Sequence, residues 1–283
     1  MRPWPSQLDK SMTMIHEQAI YRHTAIVRLT HWVNVVCLTV LLMSGLQIFN
    51  AHPALYVGKQ SDFDHPVLSI AADRPDNVGI VTILGQRFTT TGVLGVSKAG
   101  GEQVVRAFPS WATLPSGQDL ATARRWHFLF AWIFVLNGAV YLLSSLATGH
   151  VRRDLLPSLA ALWSLPRSLL DHIRLRFPRG EEARRYNVVQ QLTYLAVIFG
   201  LLPIAVVTGL AMSPALDALF HPMVDLFGGR QSARTVHFVA AAAIVLFVVV
   251  HVVMVFVSGV FNNLRSMITG RYDLGEENAR GRH

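Results

Sequence analysis

The feature that most constrains this chain is an apolar stretch near its end, residues 234–259, which is interrupted by two histidines, His237 and His251. They lie fourteen positions apart. At about 1.5 Å and 100° per residue, that spacing places both on nearly the same helix face, about 21 Å apart along the axis. A run of this length can cross a bilayer. Since lipid cannot solvate an imidazole, each histidine needs a partner on another helix.

The composition indicates an integral membrane protein. Hydrophobic residues make up 52% of the chain and charged residues 15%, whereas soluble domains are about a quarter charged. The single cysteine, Cys37, excludes a disulfide framework, a cysteine-rich metal site and covalent C-x-x-C-H haem attachment. The net charge of +8 fits basic loop edges in a membrane protein, so we predict no nucleic-acid partner.

Apolar runs at about 25–49, 126–148, 188–212 and 235–259 predict the fold. We expect an all-α membrane protein, a single domain over residues 1–283 that forms a four-transmembrane-helix bundle. Residues 50–125 form a long loop between the first two spans, with no run long enough to cross. Within this loop, residues 78–96 predict a short hairpin, and we expect the loop to be a docking surface.

The distribution of positive charge predicts the orientation. Sixteen of the 25 Lys and Arg residues lie in the N-terminal segment, the basic connection 149–187 and the C-terminal tail. Cytoplasmic segments carry the excess of such residues, so both termini are expected in the cytoplasm and the 50–125 loop outside. The expected location is the inner (cytoplasmic) membrane of a bacterium.

Four histidines lie within the apolar spans, and the order of the spans fixes their depth. His31 opens the first span and His251 lies late in the fourth, so both are expected near the cytoplasmic face. His127 and His237 open the second and fourth spans on the outer side. Two imidazoles on facing helices at one level can ligate a six-coordinate haem b. The sequence therefore predicts two non-covalent, bis-histidine haems, held by His31 with His251 and by His127 with His237.

Arginines and small residues accompany these histidines. Arg28, Arg124, Arg125 and Arg234 are candidate partners of haem propionates, with interfacial anchoring by snorkelling as the alternative. Gly45, Gly138, Gly209 and the alanines at 240–243 are expected to let a helix or a porphyrin approach closely.

The four-span plan, the positions of His31 and His127 and the His237-x13-His251 spacing resemble a known family. It comprises the b561-like dihaem cytochrome b subunits of bacterial nickel-iron hydrogenases, formate dehydrogenase and thiosulfate reductase. The resemblance implies the same histidine pairing. It also implies electron transfer between a periplasmic oxidoreductase and quinone, with the quinone near the cytoplasmic-side haem. Residues 49–58 and 62–66 resemble a subgroup paired with molybdopterin enzymes, so the expected partner is a molybdopterin enzyme or a hydrogenase.

A quinone site requires hydrogen-bonding groups beside a haem. The candidates are Asn34, Asn187, Gln190 and Gln191, each of which can instead be an ordinary polar group at a helix end. We expect electrons to flow from the outer partner to quinone, with the reverse direction open, and no other catalytic residue. Two alternatives remain: a self-sufficient transmembrane reductase of the b561 kind, and a histidine-based proton or metal transporter.

Overall fold

The computed structural model describes residues 19–174, 187–220 and 222–273, which fall into two compact units. The first, called here the terminal unit, comprises the described parts of 1–32, 139–198 and 246–283. The second, called here the sheet unit, comprises 33–138 and the described parts of 199–245.

The regular structure is mostly helical. The helices are α1 (Ala25–Asn50), α2 (Leu120–Ala147), α3 (Leu159–Trp163), α4 (Leu165–Ile173), α5 (Val188–Ala196), α6 (Leu202–Ala211), α7 (Pro214–Leu219), α8 (Pro222–Leu226), α9 (Arg230–Val257) and α10 (Val260–Thr269). The strands are β1 (Ala19–Tyr21), β2 (Ala54–Leu55), β3 (Leu68–Asp73), β4 (Val78–Ile83), β5 (Gln86–Thr89), β6 (Val96–Ala99), β7 (Glu102–Val105) and β8 (Arg271–Asp273).

Four helical stretches in the described part of the chain are long and apolar enough to cross a membrane: Ala25–Asn50, Leu120–Ala147, Val188–Ala211 and Arg230–Val257. Large apolar side chains such as Leu29, Leu136 and Leu246 remain more than 60% exposed on these helices. Such surface is costly in water but is solvated by lipid. The helices therefore fit a multi-pass membrane protein.

Helix α2 begins before the apolar run that the sequence predicted, and its cap explains why. The Asp119 carboxylate accepts a hydrogen bond from the backbone N–H of Thr122 at 3.0 Å. This N-cap satisfies a free donor of the first turn, so the polar residues Arg124 and Arg125 become helical. The hydrogen bond from Thr122 also lowers the pKa of the Asp119 carboxyl.

The third span is irregular. Helices α5 and α6 are joined by a π-helical turn, Val197–Leu201, which ends just before Pro203. Proline has no backbone N–H to donate to the carbonyl four residues back, and a wider turn accommodates this interruption. Helix α5 begins with a capping box, in which Asn187 Oδ1 accepts from the Val189 N–H at 3.0 Å and Gln190 Oε1 accepts from the Asn187 N–H at 3.2 Å.

The loop at 50–125 departs from the all-α prediction: it contains more β-structure than the one hairpin predicted at 78–96, where β4 and β5 lie. An antiparallel sheet has the order β2-β3-β4-β5, and β6 pairs with β7 in a separate hairpin. Two-residue turns at Leu84-Gly85 and Gly100-Gly101 join these hairpins, all with positive φ. Turns of this hand match the twist of the strands. The strands are two to six residues long, too short for a clear alternating pattern.

The sheet packs onto the ends of two spanning helices within the sheet unit. Its core consists of Phe49, Leu55, Ile70, Val81 and Ala107, with Phe238 of α9 packed against it. The buried Arg106 side chain donates to Gln47 Oε1 of α1 at 2.8 Å, to Thr113 Oγ1 at 2.9 Å and to the Ser116 carbonyl at 2.8 Å. These contacts fix the loop to the end of α1.

The same loop caps α9 just before His237. The Gly58 carbonyl accepts hydrogen bonds from the backbone N–H groups of Gln231 and Ser232, each at 3.2 Å. In return, Ser232 Oγ accepts from the Gly58 N–H at 2.7 Å, and Thr235 Oγ1 donates to the Tyr56 carbonyl at 2.6 Å. The start of α9 is therefore held in place by the loop.

In the terminal unit, the start of α1 is tied to the segment that follows α9. The Trp32 indole N–H donates to the Met267 carbonyl at 3.0 Å, and Arg28 donates to the Ile268 carbonyl. Strand β1 pairs antiparallel with β8. The basic connection 149–187 includes α3 and α4, and its residues 175–186 lie outside the described residues.

Candidate functional site

The four span histidines come together in two pairs, one in each unit. In the sheet unit, the ring centroids of His127 and His237 are 6.3 Å apart with an interplanar angle of 65°. In the terminal unit, those of His31 and His251 are also 6.3 Å apart, at 62°. Two imidazoles that ligate one metal through nitrogens at about 2.0–2.1 Å have centroids roughly 6 Å apart. Each pair therefore has the spacing needed to hold one metal ion between its rings.

In the sheet-unit pair, a buried serine of α1 orients His127. Ser44 Oγ lies 3.1 Å from His127 Nδ1 and donates its own proton to the Val40 carbonyl at 2.6 Å. Because a hydroxyl has one proton, its oxygen then accepts from Nδ1–H. This leaves the other ring nitrogen, Nε2, with the lone pair that binds a metal.

A buried threonine of α6 makes the equivalent contact with His237. Thr208 Oγ1 lies 3.1 Å from His237 Nδ1 and donates to the Ile204 carbonyl at 2.6 Å. The Ala205 carbonyl also lies 2.9 Å from this Nδ1. A carbonyl can only accept, so Nδ1 of His237 carries the proton, and Nε2 again keeps the lone pair with which a neutral imidazole can bind a metal.

Two glycines make room for these rings. A Cβ added at Gly45 would lie 3.4 Å from His127 Cε1, and one at Gly209 would lie 3.4 Å from His237 Cε1. The sequence singled out both glycines for close approach, but not the hydroxyl residues immediately before them. A repeated pattern could have indicated them, because a Ser or Thr followed by Gly-Leu occurs in the first span at 44–46 and in the third at 208–210. Nothing lies within 4 Å of a Cβ at Gly138.

Each ring of the terminal-unit pair contacts one aromatic side chain. His31 meets Trp32 edge-on with centroids 5.5 Å apart, and His251 stacks on Phe247 at 5.8 Å. Within the described residues, neither His31 nor His251 has a hydrogen-bond partner for its ring nitrogens. The two pairs thus share their spacing but differ in the groups that contact their imidazole rings.

Three of the four histidines have an arginine three positions earlier on the same helix, which places its guanidinium one turn closer to the helix start. These arginines are Arg28, Arg124 and Arg234. Within the described residues, neither Arg28 nor Arg234 has a carboxylate partner. The Arg28 Nε is buried without a hydrogen bond, and Arg234 donates to the His52 carbonyl. Arg124 lies over the Phe128 ring at 5.6 Å. The remaining arginine candidate, Arg125, is exposed at the start of α2.

His52 is a residue that sequence reasoning did not single out. Its Nε2 is buried without a partner, and its ring lies 5.6 Å from that of Tyr56 and 6.0 Å from that of Phe63. Burial, and then the charge of Arg234, lowers the pKa of His52. A neutral imidazole therefore lies beside Arg234 in the sheet unit.

The four polar candidates for a quinone site belong to different units. Asn34 belongs to the sheet unit, where its Oδ1 accepts from Asn137 Nδ2 at 2.8 Å. Asn187, Gln190 and Gln191 belong to the terminal unit. The Asn187 and Gln190 side-chain oxygens accept backbone hydrogen bonds of the capping box, at 3.0 and 3.2 Å. For these two residues the geometry favours the helix-end alternative.

Comparison with known proteins defines the class of this protein. A family model described as prokaryotic cytochrome b561 matches residues 22–270, which include all four span histidines. The chain therefore belongs to the prokaryotic cytochrome b561 family. This confirms the resemblance to bacterial cytochrome b subunits, makes the chain a multi-pass bacterial membrane protein of electron transport, and identifies haem b as its cofactor. The same finding disfavours the transporter alternative.

One relative is a protein from Azospira oryzae that is provisionally named protein-methionine-sulfoxide reductase subunit YedZ1. The two chains are 27% identical over 235 residues, which cover 82% of this chain and 89% of the relative. No solved structure matches this chain.

Proposed function

We propose that this chain is a dihaem cytochrome b that carries electrons between quinone and a periplasmic oxidoreductase. His31 with His251 would hold one haem b, and His127 with His237 would hold the other. The observation that carries the proposal is the 6.3 Å centroid separation found in both histidine pairs. When bound, the haems supply one-electron transfer; the protein supplies ligands, orientation and exclusion of water.

The surroundings of each pair support haem rather than a bare metal ion. A propionate is a carboxylate, and a guanidinium one turn from the ligand offers it paired N–H donors. Arg28 and Arg234 are placed in this way, and within the described residues neither has a protein carboxylate to neutralise it. We propose that they hold the propionates of the terminal-unit and sheet-unit haems. Arg124 and Arg125 are further candidates for the sheet-unit haem.

The distribution of Lys and Arg supports an orientation in the bacterial inner membrane with both termini in the cytoplasm. The sheet unit would then carry the periplasmic loop. Its loop exposes apolar side chains to solvent, including Phe63 at 73%, Leu84 at 76% and Trp111 at 77%. Exposed apolar residues of this size are typical of protein interaction sites. We propose that a periplasmic subunit binds there.

The relative supports both a partner and a direction of electron flow. A methionine-sulfoxide reductase consumes electrons, so a membrane subunit that serves one must deliver them. We propose that this chain oxidises quinol near the His31–His251 pair and passes electrons outward to a periplasmic reductase of this type. This is the reverse of the direction expected from the sequence. A molybdopterin enzyme or a hydrogenase that donates electrons is the alternative.

A quinol hydroxyl needs a hydrogen-bond acceptor near the haem that the quinol reduces, because its proton must leave when it is oxidised. Asn187 and Gln190 use their side-chain oxygens in the helix cap. We propose Gln191, in the first turn of α5, and Asn34, one turn from His31 and hydrogen-bonded to Asn137, as candidates, because neither belongs to the capping box. Substitution of either should slow the reduction of the chain by quinol without loss of haem.

The test is haem content per polypeptide. A pyridine haemochrome assay on the purified full-length chain should give two haems b for the wild type. His237→Ala and His31→Ala should each give one, because each removes an axial ligand of a different haem. The control is His65→Ala, since His65 is an exposed residue of the loop that contacts Asp62. Equal haem content in all four proteins would defeat the proposal.

Electron flow and partnership have their own test. A quinol analogue added to membranes should reduce the haems, and methionine sulfoxide should reoxidise them only when the periplasmic subunit is present. Reoxidation by a small molecule without any partner would support the self-sufficient reductase instead. Reduction by formate or hydrogen through a co-purified subunit would support the alternative partners.

A further inference from the structure

The two rings of the sheet-unit pair are held by the same frame, built once on α1 and once on α6. Ser44 and Thr208 have fully buried side chains, each 0% exposed. Each hydroxyl lies 3.1 Å from the Nδ1 of one histidine, and each is followed by a glycine that faces the same ring. On α6, the Ala205 carbonyl, three residues before Thr208, also lies 2.9 Å from His237 Nδ1 and accepts from it.

The direction of these hydrogen bonds follows from the available protons. Thr208 Oγ1 is close to the Ile204 carbonyl at 2.6 Å, and Ser44 Oγ is close to the Val40 carbonyl at the same distance. Each hydroxyl donates its one proton to that carbonyl, so its oxygen accepts a hydrogen bond from the Nδ1–H group of the histidine. Both ligands of this pair are therefore N–H donors to oxygen, in one fixed tautomer.

Such a hydrogen bond changes the ligand electronically. An acceptor that draws on Nδ1–H increases the electron density at Nε2 and makes the ligand more basic. A more basic axial ligand stabilises the oxidised haem and lowers its reduction potential. The frame acts on both axial positions of one haem, so the two effects add.

We propose that Ser44 and Thr208 are positioning residues that fix the tautomers of His127 and His237 and keep the potential of the sheet-unit haem low. The inference rests on the proposed ligation of a haem by this pair. His31 and His251 have no such acceptor among the residues that the structure describes. The two hydroxyls should therefore act on one haem and leave the other unchanged.

The experiment uses the full-length, haem-loaded chain in detergent, with Ser44→Ala, Thr208→Val and the double variant. Thr208→Val keeps the shape of the side chain and removes the hydroxyl. Thr208→Ser removes a methyl group and keeps the hydroxyl. Thr39→Val is the matched control on α1, because the Thr39 hydroxyl donates to the Val35 carbonyl at 2.8 Å and is exposed on the helix surface.

The readouts are haem content, optical redox titration and low-temperature electron paramagnetic resonance of the oxidised protein. Thr208→Val should make the sheet-unit haem easier to reduce by about threefold, which at 59 mV per tenfold is about 30 mV. Ser44→Ala should shift the potential in the same direction, and the double variant should shift it further. The same variants should change the resonance of this haem alone. Thr208→Ser and Thr39→Val should keep the wild-type potential.

An unchanged potential in a Thr208→Val protein that retains both haems would overturn the inference. So would an equal shift in Thr208→Ser or Thr39→Val, because packing rather than the hydroxyl would then be responsible. Loss of the haem in Thr208→Val but not in Thr208→Ser supports the inference, whereas loss in both overturns it. These results are separate from the ligation itself, which fails only if His127→Ala and His237→Ala keep both haems.

Discussion

The glycine beneath His237 offers a prediction that can be worked out from one distance. A Cβ at Gly209 would lie 3.4 Å from His237 Cε1, at the near limit of ordinary van der Waals contact. Alanine should therefore be accepted with little movement of the ring. Valine adds two carbons beyond the Cβ, with a side chain that has one strongly preferred rotamer in a helix. The added carbons require the imidazole, the backbone of α6 or both to shift.

Overpacking of a filled site costs about 1–3 kcal/mol. If the ring yields, this cost falls on haem binding and weakens it by roughly 5- to 150-fold at 1.4 kcal/mol per tenfold. Gly209→Val should then lose the sheet-unit haem during purification, while the terminal-unit haem stays bound. Gly209→Ala should keep both haems.

The matched control is Gly138 in α2, where nothing lies within 4 Å of an added Cβ. Gly138→Val should therefore keep both haems. The assay is haem content per polypeptide, followed by the rate of haem transfer from each protein to an excess of apomyoglobin. Retention of both haems at the wild-type transfer rate by Gly209→Val would refute this account of the glycine, as would equal haem loss in Gly138→Val.

Two further predictions concern the loop and the start of α2. Arg106→Ala removes a buried guanidinium that has three hydrogen-bond partners. A hydrogen bond to a charged group contributes about 1.5–3 kcal/mol, so thermal unfolding should show that the free energy of unfolding falls by about 3 kcal/mol or more. His65→Ala is the control and should leave it unchanged. The pKa of Asp119 is lowered because its carboxylate accepts a hydrogen bond from Thr122. The carboxylate therefore stabilises the folded protein above the unfolded-state pKa, and this contribution is lost as the pH falls through the folded-state pKa. The difference in melting temperature between wild type and Asp119→Ala should therefore shrink on acidification from neutral pH, whereas a pH-independent difference would contradict this role; Asp119→Asn retains a capping oxygen without that titration.

The helices and the histidine pairs could be predicted because lipid leaves few alternatives. An uncharged apolar run must form a helix to satisfy its backbone, and an imidazole such as His251 must find a partner inside the protein. Hydropathy alone does not give the exact helix ends: the start of α2 follows from Asp119, a residue type that favours N-caps, which extends the helix through two arginines. The start of α9 likewise depends on the Gly58 carbonyl, which comes from a distant part of the chain.

Of the β-structure, only the β4–β5 hairpin lies where the sequence predicted one; the other strands and the hydroxyl frame escaped sequence reasoning for different reasons. Strands such as β2, with two residues, are too short for a periodic pattern, and their pairing is decided by tertiary contacts. Ser44 and Thr208 resemble ordinary helix residues whose hydroxyl bonds to the carbonyl four residues back, as in Thr39. Only the structure shows that these two also face a histidine. For Asn187 and Gln190 the sequence left both a quinone site and a helix end open, and the hydrogen bonds of the cap favour the helix end.

The grouping of the four histidines can be measured directly. Electron paramagnetic resonance of the oxidised wild-type protein should show two low-spin haem signals, one from each pair. His31→Ala and His251→Ala should abolish the same signal, and His127→Ala and His237→Ala should abolish the other. If the two members of a pair removed different signals, or if the wild type bound a single haem, the two-pair account of this cytochrome would be wrong.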